Sequence, residues 1–266
     1  MNHDAGAAST GARPRTRESR TMSDRVVLVT GAARGLGAVI AERFHAAGYH
    51  VALADIAADA LHAHARDLDP SGERAIALPL DVTSKRDFEA ARDALVARWG
   101  TIDVLVNNAG ASKVVPAMEI TAEQFDQVID VNLRSVLFGC QVFGQYFAER
   151  GAGRIVNIAS LAGQNGGSAT GAHYAAAKAG VMALTRCAAL EASPYGVRIN
   201  AVAPSIAMHD FLKKSAPADL LNQLASREAF GRAAEVWEVA NVMVFLASDY
   251  ASYMTGEVLS VSSQHA

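Results

Sequence analysis

The stretch VVLVTGAARGLG, Val26 to Gly37, begins as an apolar run and ends in a turn with glycines at 31, 35 and 37. A near-continuous apolar run suits a strand covered on both faces, as in a parallel sheet. Beyond the turn, Leu36, Val39, Ile40 and Phe44 recur at helical spacing, and Gly48 is placed to end that helix. Glycine turns tightly and, having no Cβ, lets a ligand approach the backbone N–H groups at a helix start. A strand, a glycine turn and a helix in that order therefore make a cradle for a pyrophosphate.

Asp55 follows 18 residues after Gly37, at the end of the next apolar run, where an acid that binds a ribose belongs. A carboxylate there accepts hydrogen bonds from both ribose hydroxyls of NAD. The 2′-phosphate of NADP would bring like charge close to it, at a cost of roughly a few kcal/mol for an effective dielectric near 20. The turn and Asp55 together predict NAD in preference to NADP, with Arg34 pulling the other way, since a guanidinium in the turn can meet a 2′-phosphate.

The same alternation continues to the C-terminus. HVALAD (His50 to Asp55), AIALPLD (Ala75 to Asp81), DVLVN (Asp103 to Asn107), RIVNIAS (Arg154 to Ser160), VRINAVA (Val197 to Ala203) and EVLSV (Glu257 to Val261) read as strands. Asp87 to Trp99, Thr121 to Arg150, His173 to Ala192 and Glu235 to Ser248 read as helices, with Thr121 and Gln124 spaced for a capping box. Strands alternating with helices imply right-handed crossovers, hence an α/β fold: a single Rossmann-like, doubly wound parallel sheet of about seven strands with helices on both faces. Residues 204–232 form a longer connection than such units need, and its position after a strand's C-terminal end predicts a substrate lid, an oligomer element being the competing role.

Composition narrows the possibilities further. The 266 residues suit one α/β domain, assigned to 23–266, and a formal net charge of −3 gives no basic field for nucleic acid. No apolar run is long enough to span a membrane. Residues 1–22 are small, polar and Arg-rich without an apolar stretch, which predicts a disordered tail and no secretory signal. Cys140 and Cys187 lie in apolar helical stretches, so both are expected as reduced core thiols of a cytoplasmic protein. The eight histidines show no metal-ligand spacing with cysteines or acids, and no metal is expected.

YAAAK, Tyr174 to Lys178, sets a phenol and an ammonium four residues apart, on one face of a helix, with only alanines between. Together with TGAARGLG, NNAG (Asn107 to Gly110), VNL around Asn132, IAS ending in Ser160 and NAVAP (Asn200 to Pro204), it makes six motifs in one order. In these motifs the chain resembles the short-chain dehydrogenases/reductases from Arg25 to the C-terminus, most like the 3-oxoacyl-thioester reductase branch. The resemblance implies a catalytic tetrad of Asn132, Ser160, Tyr174 and Lys178. It implies cofactor contacts from Gly31, Arg34, Gly35, Leu36, Gly37, Asp55, Asp81, Val82, Asn107, Ala109, Gly110, Tyr174, Lys178, Pro204 and Ile206. Tyr174 is the expected general acid/base, because a nearby ammonium and an oxidised nicotinamide favour the tyrosinate. Lys178 would also hold the nicotinamide ribose, Ser160 would bond the substrate oxygen, and Asn132 would break helix regularity and hold a water leading from Lys178.

Two departures from the family pattern stand out. Ser160 and Tyr174 are one residue further apart than usual, and the segment PSIAMHD puts Ser205 and His209 where a Gly and a Thr are usual, which bears on the carboxamide contact. Met208, Phe211 and Leu212 make the lid apolar, while Lys213 and Lys214 suit thioester phosphates. The reading is an NAD(P)-dependent oxidoreductase that interconverts a secondary alcohol and a ketone, as a 3-oxoacyl-thioester reductase or a hydroxyacyl-CoA dehydrogenase. EVLSVSSQHA and FGRAAEVWEVA are similar to relatives acting on CoA thioesters from steroid-ring breakdown, and the helix Glu235 to Ser248 with the C-terminal strand resembles the family's tetramer surfaces, which implies such a substrate and a homotetramer. The competing readings are a dinucleotide-binding sensor or scaffold without turnover, and a non-redox lyase or epimerase.

Overall fold

Alternate residues of the first strand already show why the sheet is covered twice. In β1 (Val26–Thr30) the side chains of Val27 and Val29 enter one apolar cluster and Leu28 the other, as a pleated strand with a period of two requires. The computed structural model describes residues 24–166, 170–208 and 218–264. Within them β1 is followed by α1 (Gly35–Ala46), β2 (His50–Asp55), α2 (Ala58–Leu68), β3 (Ala75–Pro79), α3 (Lys85–Trp99) and β4 (Val104–Asn107). The second half runs α4 (Ala122–Ile129), a π turn (Asp130–Arg134), α5 (Ser135–Arg150), β5 (Gly153–Ile158), α6 (Ala162–Asn165), α7 (Ala172–Ala192) and β6 (Val197–Pro204). It closes with β7 (Ala207–Met208), α8 (Ala218–Ala225), β8 (Ala234–Glu235), α9 (Val236–Ala247) and β9 (Val258–Val261).

Seven strands form one parallel sheet in the order β3-β2-β1-β4-β5-β6-β9, which is the doubly wound arrangement expected. On one face Ile40 and Phe44 of α1, Leu61 of α2 and Val239, Met243 and Leu246 of α9 pack against the sheet. On the other, Phe88 and Leu95 of α3, Phe143 and Phe147 of α5 and Val181 of α7 do the same. At about 25 cal/mol per Å² of apolar surface, this two-sided burial is the main term opposing chain entropy.

The helix expected over Thr121–Arg150 is interrupted. Thr121 caps α4 as predicted: its hydroxyl accepts from the Gln124 N–H at 3.3 Å, and the Gln124 side chain accepts from the Thr121 N–H at 3.1 Å. After α4 the backbone widens into the π turn that carries Asn132 before α5 resumes.

Cys187 corrects the expectation of two core thiols. Cys140 is buried, and burial pushes its thiol up to about 12, but Cys187 is exposed on α7. In a helix this rich in alanine, apolar neighbours do not show which side faces water. The connection after β6 is described only in part. β7 and β8 pair with each other, and α8 buries Leu221, whereas His209, Phe211, Leu212, Lys213, Lys214 and the tail 1–22 lie outside the described residues. Among the described residues no helix is long and apolar enough to cross a membrane.

Candidate active site

The strand order reverses between β1 and β4, and in an open α/β sheet a crevice forms there, beyond the strands' C-terminal ends. Thr30, the last residue of β1, ties the two strands together. Its hydroxyl donates to the Val106 carbonyl at 3.2 Å and accepts the N–H groups of Asn108 and Ala109 at 3.0 and 3.1 Å. The Asn108 amide donates back to the Thr30 carbonyl at 2.9 Å.

Space in the glycine turn is very limited. Gly31 has φ of 68°, and a Cβ there would stand 2.8 Å from Ala109 Cα; a Cβ at Gly37 would stand 2.0 Å from the Gly31 carbonyl oxygen. The turn thus folds against the start of α1, which has no side-chain cap and no acid in its first turn, so its N–H groups suit an anion. Half-buried Asp55 reaches the same place: one carboxylate oxygen accepts from the Ala33 N–H at 3.1 Å, the other from the Ala57 N–H at 2.9 Å. Exposed Arg34 precedes α1 in extended backbone, and half-buried Leu36 packs on the core. This donor set, amide N–H groups for phosphate and a carboxylate for ribose, fits a nicotinamide dinucleotide.

The other predicted contacts are placed less uniformly. Asp81 follows β3 and accepts from the Thr83 N–H and hydroxyl at 2.9 and 2.7 Å, while Val82 packs on the core. Asn107 turns inward, its amide donating to Asn157 Oδ1 at 2.9 Å, in space that a Cβ on Gly139 would invade at 2.4 Å from the Asn107 oxygen. Asn157 in turn donates to the Thr185 hydroxyl at 3.0 Å, linking β4, β5 and α7. Thr30, Asn108 and Asn157 were not singled out from the sequence, although a polar residue inside an apolar run, as Asn157 is, signals such a tie. Pro204 is buried at the end of β6, and Ile206 accepts from the Ala234 N–H at 2.9 Å.

Asn132, Ser160, Tyr174 and Lys178 come together beside this crevice. The Ser160 hydroxyl, just past β5, accepts from the Ala162 N–H at 3.2 Å and lies close enough to the Tyr174 hydroxyl to pull its pKa down. The Lys178 ammonium, 2% exposed, lies 5.6 Å from the Tyr174 ring centre and donates to the Ile158 carbonyl at 2.8 Å. The Asn132 amide donates to the carbonyls of Ala111 and Val128 at 2.6 and 2.9 Å. Its oxygen is buried without a partner, and a Cβ on Gly110 would fall 2.8 Å from it and 3.7 Å from the Lys178 nitrogen.

The electrostatics refine the expectation for Tyr174. Burial pushes its pKa up, and the group pulling it down is the Ser160 hydroxyl; Lys178 is itself lowered by burial to about 8. Desolvation penalises the charged form of both groups, and in the protein alone it sets the direction of both shifts.

A family model described as "Enoyl-(Acyl carrier protein) reductase" matches residues 31–263. The chain belongs to the short-chain dehydrogenase/reductase family. A Mycobacterium tuberculosis relative, named (5R,7aS)-5-hydroxy-7a-methyl-1-oxo-2,3,5,6,7,7a-hexahydro-1H-indene-carboxyl-CoA reductase, is 50% identical over 247 residues, covering 92% of this chain and 94% of that protein. A crystal structure of a short-chain dehydrogenase from Mycobacterium smegmatis superposes with a TM-score of 0.79 at 45% identity, covering 91% of this chain and 93% of that one. An actinorhodin polyketide ketoreductase variant solved with NADPH superposes with a TM-score of 0.84 at 31% identity, covering 91% and 97%. As a short-chain dehydrogenase/reductase the chain is an oxidoreductase, and its relatives work with nicotinamide dinucleotides.

Proposed function

We propose that the chain interconverts a ring ketone and its secondary alcohol on a substrate carried as a CoA thioester, with NAD preferred to NADP. The observation that carries this reading is the convergence of the Ser160 and Tyr174 hydroxyls beside the buried Lys178 ammonium, at the mouth of a crevice whose other end is the glycine turn. Asp55 supports NAD because its carboxylate, aimed at the turn, would repel a 2′-phosphate. The 50% identical relative, named for a bicyclic CoA thioester, supports the substrate class.

A bound nicotinamide dinucleotide supplies or accepts the hydride. In reduction, the Ser160 and Tyr174 hydroxyls hold the substrate carbonyl oxygen and stabilise the charge that grows on it. Tyr174 gives up its proton to that oxygen, and Lys178 stabilises the tyrosinate left behind. The free Asn132 oxygen beside Lys178 accepts from a water through which the proton is replaced. Burial pushes Tyr174 further toward its protonated form, the state that donates in reduction. Exposed Trp237, Phe245, Tyr250 and Tyr253, on α9 and the segment after it, support assembly as a homotetramer.

Titration with NADH and NADPH, followed by turnover of free cyclic ketones against their CoA thioesters, tests the reading. It predicts tighter NADH binding and faster thioester turnover. Equal affinity for the two nucleotides removes the role given to Asp55, faster turnover of free ketones removes the thioester, and tight binding without turnover favours the sensor.

A further inference from the structure

Glu228 is a buried carboxylate far along the chain from the tetrad, 4% exposed, and the chemistry above makes no use of it. One of its oxygens accepts the Ser263 N–H at 2.9 Å, the Ser263 hydroxyl at 2.9 Å and the Ser262 hydroxyl at 3.4 Å; the other accepts the Gln264 amide at 2.9 Å. The Ser205 hydroxyl lies buried beside the same carboxylate, close enough to lower its pKa, though outside good hydrogen-bond geometry. All of these groups are neutral. Burial alone would push the Glu228 carboxyl up, yet the donors outweigh it and hold the pKa below the usual range.

What this charge grips is the wall that continues β6 past the crevice. The Ser205 N–H donates to the Val261 carbonyl at 3.1 Å, so Ser205 lies against β9 and the segment that Glu228 binds. On the other side, the Ala234 N–H donates to the Ile206 carbonyl at 2.9 Å, and β7 pairs with β8. The turn that carries Glu228 is bound to the same C-terminal segment, with the Ala229 N–H on the Ser263 carbonyl at 3.0 Å. The Pro204–Met208 strip is thus held by β9 on one flank and β8 on the other, with the carboxylate beside it where the two supports meet. A neutral side chain of the same shape would replace charge-assisted bonds to these half-buried donors by weaker ones and set an amide NH2 against the Gln264 amide, and the strip would lose its fixed position.

We infer that Glu228 is a positioning residue that sets the Pro204–Met208 strip against the nicotinamide end of the dinucleotide. This rests on the functional reading above: the Leu161 N–H, next to Ser160, donates to the Pro204 carbonyl at 3.0 Å, so the strip begins beside the hydroxyls to which the nicotinamide must bring its hydride.

Calorimetric titration of the full chain with NADH and with ADP-ribose, which lacks the nicotinamide ring, tests the assignment. Glu228→Gln is expected to weaken NADH about tenfold while ADP-ribose stays within about twofold, the cost of the loosened strip appearing only for the ligand that touches it. If Glu228→Gln fails to fold by circular dichroism, a Ser263→Ala, Gln264→Ala double variant, which removes two donors and keeps the charge, decides by the same criterion. An equal change for both ligands, or no change for either, overturns the inference and leaves the functional reading standing. A wild-type chain that binds neither ligand overturns both.

Discussion

Tyr174 and Lys178 show how burial and charge compete over a few ångströms. The phenol is raised by desolvation and needs help from bound groups to ionise, whereas the ammonium, lowered to about 8, keeps its charge at neutral pH. Tyr174→Phe should cut turnover by about a thousandfold, the usual scale for a lost general acid, while NADH binding measured by fluorescence stays within about twofold. Lys178 also links stability to pH. Its pKa is about 8 in the fold against an ordinary value of 10.5, so between these the unfolded chain binds more protons and stability rises with pH. At about 1.4 kcal/mol per pKa unit the gain is roughly 3 kcal/mol across that window, and it is absent below pH 8, where both states are charged. Urea unfolding at pH 8 and pH 10 should show most of this rise in the wild type and not in Lys178→Met; parallel behaviour of the two proteins would remove Lys178 as its source.

At the scale of elements, the glycine turn and the π turn do the positioning. A Cβ on Gly37 meets the Gly31 carbonyl at 2.0 Å, and neither atom can move without shifting α1 away from β1. Gly37→Ala should therefore cost about 1–3 kcal/mol by overpacking and weaken NADH at least tenfold, read by thermal melting and titration. Unaltered nucleotide affinity in a folded variant would mean that the turn is not the phosphate cradle. The turn was legible because three glycines between a strand and a helix have a local cause. The break at Asp130–Arg134 was legible only as an irregularity at Asn132, and the apolar pattern from Thr121 to Arg150 otherwise read as one helix. A π turn alters the helix by about one residue, within the tolerance of a 3.6-residue pattern over so short a stretch. The tie from Asn107 through Asn157 to Thr185 showed in the sequence only as a polar residue inside an apolar run, with its partners hidden, since it joins residues 50 and 28 apart in sequence.

For the whole molecule, two apolar layers close over one parallel sheet, and aromatic side chains remain exposed along α9 and the segment that follows it. If those surfaces bury one another, sedimentation should give about 112 kDa, four copies of a 27.9 kDa chain. Replacing Trp237 and Tyr253 with serine should lower that mass, and a monomer in the wild type would overturn the assembly. By itself the sequence determined the strand and helix alternation, the glycine turn with Asp55 beyond it, and the Tyr174–Lys178 pair, because each is written in neighbouring residues whose spacing matches a backbone period. Only the tertiary structure decided that Cys187 faces water, that burial raises Tyr174, that Asn107 turns inward and that Glu228 grips Ser262 to Gln264. Those outcomes depend on which surfaces exclude water and which donors converge, and both are set by segments that meet only once the chain has folded.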